Sequence, residues 1–356
     1  MWIDNKIFKE DMEYIIHANF IDWENLNNKT IFITGATGLI GYYLTSALLY
    51  KNIKDDSNIK ILALVRNIEK ARLQFQEQLK VDNNLSFICG DLNNIPNISE
   101  KIDYIIHGAS PTSSKSFVEN PVEVIKTIYD GTVNVLELAK NKNIKNMVYL
   151  STMEVYGVNK THDKVDEEHE SYLNTMNARN SYPESKRLCE NLCASYYSEY
   201  NVPVNVLRLT QTFGPGIKEN DNRVFAQFIR ASIEKKNIVL LTEGKTYRNY
   251  LYLADAATAI LAVVLSEKYG EAYNVANEES YCSIKEMAEL VANNISNREI
   301  KVIFNFDDKR DTKIFMPQMC MNLDVKKLKH FGWVSKYNLR DMYRRTILAK
   351  ESNNDI

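Results

Sequence analysis

Apolar and polar positions alternate along this chain in blocks rather than residue by residue. Ile31–Thr34 is a short β-branched run that suits a buried strand, and the amphipathic run Tyr42–Tyr50 after it reads as a helix. The rhythm then repeats. Ile59–Arg66, Leu85–Cys89, Ile102–His107, Asn146–Ser151 and Val204–Thr210 read as further buried strands. Ile68–Leu79, Pro121–Lys140 and Tyr182–Glu199 read as helices between them. Strands alternating with helices predict a parallel sheet covered on both faces, and right-handed crossovers make a doubly wound α/β topology the main choice. In such sheets ligands bind outside the carboxyl ends of the strands.

The pattern loosens on both sides of this block. Residues 1–28 precede the first strand, and Ile7–Phe20 has helical spacing; this N-terminal extension is expected to pack on the outside of the sheet or against a partner subunit. After Gly214-Pro215-Gly216, Val224–Lys235 is a helix, and short strands and helices follow to Leu348. The expected organisation is therefore a helical extension over 1–28, a sheet domain over 29–215, and a smaller α/β lobe over 216–350 that closes over the cleft. Thr161–Asn180 is polar and without period, so 161–181 is expected to be a loop near the active site.

Composition removes several function classes. Forty-four Lys and Arg against 46 Asp and Glu give a net charge of −2, so neither a nucleic-acid nor a membrane partner is predicted. The longest apolar run, Ala256–Leu265, is too short to span a bilayer, and the N-terminus lacks signal-peptide order. Five scattered cysteines fit a reducing compartment, and the close pair Cys189 and Cys193 reads as helix packing rather than a metal site. The expectation is a cytoplasmic protein without a metal.

Three glycines, Gly35, Gly38 and Gly41, separate the first strand from the first helix. Such a turn lets the backbone approach a pyrophosphate, and the helix start offers unpaired N–H groups. Downstream, Tyr182 and Lys186 share one helix face. A cation beside a phenol favours the phenolate, and the pair can then take a proton from a sugar or alcohol hydroxyl.

Together these pieces resemble the extended short-chain dehydrogenase/reductase family, and within it the nucleotide-sugar epimerases, dehydratases and decarboxylases. The resemblance covers roughly residues 29–335. It rests on Thr34-Gly-Ala-Thr-Gly-Leu-Ile-Gly41, Gly90-Asp91-Leu92, His107-Gly-Ala-Ser-Pro111, Gly131-Thr132 with Asn134, and Leu150-Ser-Thr-Met-Glu-Val-Tyr-Gly157. It continues through Tyr182 to Lys186, Arg208 with Phe213-Gly-Pro215, Arg223 to Phe228, Arg248-Asn-Tyr250 with Asp255, Tyr273-Asn-Val275, and Leu323-Asp324 before Gly332-Trp333. Three stretches look most like UDP-glucuronate decarboxylases: Ala109-Ser-Pro111 with Asn120-Pro121, Arg179 to Arg187, and Asn220 to Phe228.

The resemblance implies a Rossmann sheet, a retained NAD(P) cofactor, a nucleotide-sugar substrate (a UDP-sugar first) and a homodimer built on the two long helices. It implies that Gly35, Thr37, Gly38, Leu39, Ile40, Gly41, Asp91, Leu92, Ala109 and Ser110 contact the cofactor. Tyr182 would be the base at the sugar's 4-hydroxyl, Lys186 would tune it and bond the nicotinamide ribose, and Thr152 would bond the same hydroxyl. Glu154 is a further acid/base candidate. Ser110, Thr152, Arg179, Gln211, Arg223, Gln227 and Arg248 would contact substrate, Arg248 at the diphosphate. Arg66 ends the second strand, where an acidic residue selects NAD; arginine suits a 2′-phosphate, so NADP is preferred and NAD stays possible.

Departures from the pattern matter. Met153 stands where 4,6-dehydratases carry Asp, Gln211 and Gln227 replace Asn, Ile128 replaces a helix Asn, and Gln318 and Met319 stand where an Arg often grips the nucleotide. Decarboxylases often carry a small hydroxyl residue at position 153. Met153 can neither protonate a leaving hydroxyl nor bond a carboxylate, which weakens both readings and leaves epimerases, which tolerate an apolar residue. The sequence therefore favours epimerisation through a transient 4-keto sugar, then decarboxylation of a UDP-glucuronate-type acid, then 4,6-dehydration. A one-way NADPH-consuming keto-sugar reductase and a non-catalytic nicotinamide sensor are the rivals.

Overall fold

The computed structural model describes residues 4–169, 171–306 and 318–354. Seven parallel strands form the large sheet. The first five are β1 (Thr30–Thr34), β2 (Lys60–Val65), β3 (Leu85–Cys89), β4 (Tyr104–His107) and β5 (Asn146–Thr152). From one edge the order is β3, β2, β1, β4, β5, then the strands Val204–Leu209 and Ala272–Val275. The order reverses between β1 and β4, so a crevice opens above the carboxyl ends of those two strands.

Strand alternation divides the core. Ile31 and Ile33 of β1 face one cluster with Val148 and Leu150 of β5, while Phe32, Met147 and Tyr149 face the other. The second cluster lies under the helices Pro121–Lys142 and Ser181–Tyr200. The first is covered by α1 (Lys6–Ile16), α2 (Leu39–Asp55) and the fully buried helix Leu253–Val264.

The N-terminal extension is thus part of the large domain's covering layer. Asp11 of α1 is completely buried, accepts from the hydroxyls of Tyr43 and Tyr252 at 2.7 Å each, and pairs with Arg345 at 2.8 Å. Burial pushes its carboxyl above the usual range, against the pull of Arg345. Tyr14 donates to the buried Asp255 at 2.9 Å, tying the extension to the helix that runs under the sheet.

Several details differ from the sequence expectation. The stretch 161–181, expected as a loop, carries the strand Lys164–Val165, and Gln211–Phe213, expected within the sheet domain, pairs in the smaller sheet. The predicted helix Ile68–Leu79 breaks at Phe75, whose ψ of 16° ends one helix and starts the next, because its ring packs inward against Tyr42 and Phe87. The last strand of the large sheet, Ala272–Val275, comes from beyond residue 216, so the chain returns to the large sheet after first contributing to the small one. The smaller sheet joins Asn277–Ser283, Tyr247–Tyr252, Cys320–Leu323, Lys164–Val165 and Gln211–Phe213. Among the described residues no helix is long and apolar enough to cross a membrane.

Candidate active site

The glycine turn is built by contacts that exclude larger residues. Gly35 has φ +78°, and a Cβ there would lie 2.8 Å from the backbone nitrogen of Ala109. A Cβ on Gly41 would lie 2.1 Å from the Gly35 carbonyl oxygen. The turns after β1 and β4 therefore touch. Gly38 is the N-cap of α2 and no side chain caps that helix, so its first N–H groups face the crevice. These features fit the pyrophosphate of a dinucleotide: a positive helix end, close backbone approach and no acidic side chain in the first turn. Thr37, Leu39 and Ile40 are half-buried around the same turn.

A buried histidine braces the turn from below. Thr34 Oγ1 lies 2.7 Å from His107 Nδ1 and accepts from the Ala109 N–H at 3.2 Å. His107 Nε2 lies 3.3 Å from Thr132 Oγ1, which itself donates to Ile128 O. That chain of donors assigns the His107 proton to Nε2 and Thr34 as the donor to Nδ1. Burial, with Lys186 nearby, pulls His107 down to about 3, so it stays neutral. The sequence marked His107 only as part of a motif; its bracing role depends on Thr132, which lies in a distant helix.

Asp91 is exposed, and its Oδ1 accepts from the N–H groups of Asn93 and Asn94 at 2.9 and 3.0 Å. Leu92 is buried, and its side chain would collide with any Cβ at Gly131. Ser110 donates to Pro111 O at 3.2 Å. Arg66 is exposed at the end of β2.

The proton-handling groups meet at the end of β5. Lys186 is buried in the helix Ser181–Tyr200 and donates to Leu150 O at 2.8 Å, with Nζ 4.5 Å over the Tyr149 ring and 6.0 Å from the Tyr182 ring centre. Burial pulls its ammonium down to about 8. Tyr182 stands above the ordinary phenol value, chiefly through burial and then through the Glu154 carboxylate; the Thr152 hydroxyl, Arg223 and Arg179 pull it the other way. The expectation that Lys186 lowers Tyr182 therefore needs correction. In this structure Lys186 is engaged with the β5 backbone, and desolvation decides the phenol.

Glu154 pairs with Arg179 at 3.4 Å, both largely shielded from solvent. Phe117, from the segment after β4, stacks flat on Tyr182 at 4.4 Å and 9°, with the Arg179 guanidinium 5.6 Å from the same ring. Phe117 carried no sequence signal, because its stacking depends on where two distant segments meet. Met153 is buried, with its sulfur accepting from Thr210.

The remaining candidates spread along the lobe. Arg223 forms a fork with Asp221 and lies over Phe225 at 4.7 Å. Gln227 is exposed and donates to Asn222 O. Gln211 pairs in register with Tyr250, and Arg248 lies between Cys282 and Met321 on neighbouring strands with its Nε buried and without a hydrogen-bond partner among the described residues.

A glycine-cradled dinucleotide crevice that ends in a Tyr–Lys pair defines a nicotinamide-dependent enzyme of the Rossmann class. A model of the NAD dependent epimerase/dehydratase family matches residues 31–276, more than half of the chain, and the chain belongs to that family of nucleotide-sugar enzymes. It is 28% identical over 323 residues to UDP-glucuronic acid decarboxylase 1 of Xenopus tropicalis, covering 90% of this chain and 72% of that protein. It is 30% identical over 265 residues to the UDP-N-acetyl-alpha-D-glucosaminuronate decarboxylase of Bacillus cytotoxicus, covering 73% and 78%. The fold matches the UDP-glucuronic acid 4-epimerase of Bacillus cereus, solved with UDP-glucuronic acid and NAD, at a TM-score of 0.73 and 21% identity over 91% and 99% of the two chains.

Proposed function

We propose that the protein decarboxylates a UDP-hexuronate through a transient 4-keto sugar, with its nicotinamide cofactor retained. The observation that carries this reading is the cluster Thr152, Glu154, Arg179 and Tyr182 at the end of β5, combined with sequence likeness to two decarboxylases of nucleotide-linked hexuronic acids. Epimerisation, first choice on sequence, becomes the second reading. It keeps one specific support: position 153 is a buried Met rather than an acid.

The residues divide the work. Tyr182 accepts the proton of the sugar's 4-hydroxyl and later returns it. Thr152 holds that oxygen, and Lys186 supplies positive charge beside it. A nicotinamide held at this crevice would supply hydride acceptance and return at C4. With a ketone at C4, the bond from C5 to the carboxylate is weakened: its electron pair moves toward the C4 oxygen and carbon dioxide leaves. Glu154, facing Tyr182, is the group we assign to proton delivery at C5. Arg248, whose buried Nε has no partner among the described residues, is assigned to the diphosphate, with Arg223 and the two glutamines, Gln211 and Gln227, along the nucleotide. Asp91 and Leu92 are assigned to the adenosine end of the cofactor, and Ala109 and Ser110 to its nicotinamide end. The exposed guanidinium of Arg66 supports a preference for NADP over NAD.

A homodimer through the two long helices is part of the proposal. Val122 and Ile125 on one helix and Leu188 on the other are exposed apolar residues. Light scattering at the mass of a single chain contradicts it.

The test is a mass-resolved incubation of purified protein with UDP-, GDP-, CDP- and dTDP-sugars, first without added cofactor. A product lighter by carbon dioxide supports decarboxylation, an unchanged mass with a new retention time means epimerisation, and loss of water means dehydration. Turnover only of keto sugars with added NADPH replaces the whole reading with a reductase.

A further inference from the structure

A second polar cluster lies one helical turn beyond Lys186, on the face of the same helix that meets β5. Glu190 is one helical turn beyond Lys186. It accepts from Ser151 Oγ at 2.5 Å, and Ser151 sits between Leu150, whose carbonyl holds Lys186, and Thr152. Arg208, on the neighbouring strand, grips the same carboxylate with two nitrogens: Nε at 3.0 Å and Nη2 at 2.7 Å from Oε2. Both side chains are shielded, at 15% and 11% exposure, so the pair is strong enough to fix geometry and costly to leave half-made.

The network continues into the smaller lobe. Arg208 Nη1 donates to Tyr156 OH at 2.9 Å and to Glu167 O at 2.8 Å. Tyr156 OH donates to Asn274 Oδ1 at 2.7 Å. Asn274 Nδ2 donates to Val165 O, on the edge strand of the smaller sheet, and to Asp324 O, just after the strand Cys320–Leu323. One carboxylate thus joins the end of β5, the catalytic helix and the lobe.

We propose that Glu190, clamped by Arg208, is a positioning residue that holds Ser151 and the Lys186 turn in register, so that Lys186 and Thr152 present their donors to the crevice together. The assignment rests on the proposed roles of Lys186 and Thr152, and extends beyond them to residues that touch neither cofactor nor sugar.

Charge gives the test its direction. Lys186 is faced by Glu190, Tyr182, Cys189 and Cys193 on its own helix, by Tyr149 on β5 and by His107 on β4. Cys189, Glu190 and Cys193 favour the ammonium against burial; Glu190 is the carboxylate among them, and Arg208 is its ion-pair partner. Removing Glu190's charge lowers Lys186, and removing Arg208's charge raises it. Opposite shifts report the two charges at Lys186, and the positioning role itself is read by hydrogen exchange at 150–153, which a charge effect alone does not change.

The experiment measures NADP affinity, with NAD in parallel, of the full-length protein by fluorescence from pH 6 to 9.5. It needs no sugar substrate, so failure of the decarboxylase reading leaves it interpretable. The wild type is expected to lose affinity around pH 8. Glu190→Gln is expected to move that midpoint down by about one pH unit, and Arg208→Met to move it up by a similar amount. The double variant is expected to return near the wild-type midpoint. Two single variants that shift the same way, or neither shifting, overturn the proposal. If a single variant fails to fold, Ser151→Ala carries the test by hydrogen exchange. Amides at 150–153 should then exchange several-fold faster while those at 30–34 do not change, and unchanged exchange at 150–153 overturns the proposal.

Discussion

Replacing Gly41 with Ala tests the link between the turn and the cofactor. The new methyl would stand 2.1 Å from the Gly35 oxygen and 2.8 Å from the Ala36 Cα. Carbon and oxygen in non-bonded contact normally keep about 3.3 Å, so either the helix or the turn must move by about 1 Å. The helix cannot yield easily. Tyr43 is anchored to Asp11, and Leu44, Ala47 and Leu48 are fully buried. The turn yields instead, carrying Gly35 away from Ala109 and displacing the N–H groups that would hold the pyrophosphate. Overpacking of this kind costs about 1–3 kcal/mol of stability. A comparable loss on binding, about 2.7 kcal/mol, corresponds to a roughly 100-fold weaker dissociation constant. Calorimetric titration with NAD and NADP measures it, with circular dichroism reporting the fold. A folded Gly41→Ala protein that binds within threefold of wild type refutes the placement of the cofactor at this turn.

Other outcomes follow from the same geometry. Tyr182→Phe keeps the stack on Phe117 and removes the proton acceptor; turnover should fall about 100- to 10,000-fold with cofactor affinity unchanged, and a variant within tenfold of wild type contradicts the role. Asp11→Asn leaves Arg345 without its buried partner and should cost about 3 kcal/mol, while the paired change with Arg345→Met should recover part of that loss. Thermal melts of the three proteins decide it, and additive losses count against the ion pair. Arg66→Ala should weaken NADP about tenfold or more and leave NAD almost unchanged; equal loss for both places Arg66 outside the 2′-phosphate site.

Legibility of the site in the sequence follows the range of the interactions. The strand, glycine turn and helix of β1 and α2 are local, so β-branched residues and glycine spacing announce them. The Tyr182–Lys186 face is local for the same reason. Phe117 on Tyr182, His107 on Thr34 and Thr132, and Glu190 on Arg208 join segments 18 or more residues apart, and no periodicity encodes them. The extension gave up its helix to pattern but not its partners: Asp11 looks like an ordinary surface acid until Tyr43, Tyr252 and Arg345 close around it. The strand Ala272–Val275 reads as part of the later lobe in sequence order, and only backbone pairing with Val204–Leu209 returns it to the large sheet. The break at Phe75 has the same origin, since a buried ring outweighs continuous helical spacing.

The central claim is oxidation at C4 with the same hydride returned. UDP-glucuronate carrying deuterium at C4 tests it most directly, with the product analysed by mass and proton spectra. A product lighter by carbon dioxide that keeps its deuterium at C4, gains one solvent hydrogen at C5 and forms more slowly than from unlabelled substrate, showing that the C4 bond breaks, is the predicted result. Deuterium lost to water or to added cofactor, or a product formed with C4 never oxidised, contradicts the account.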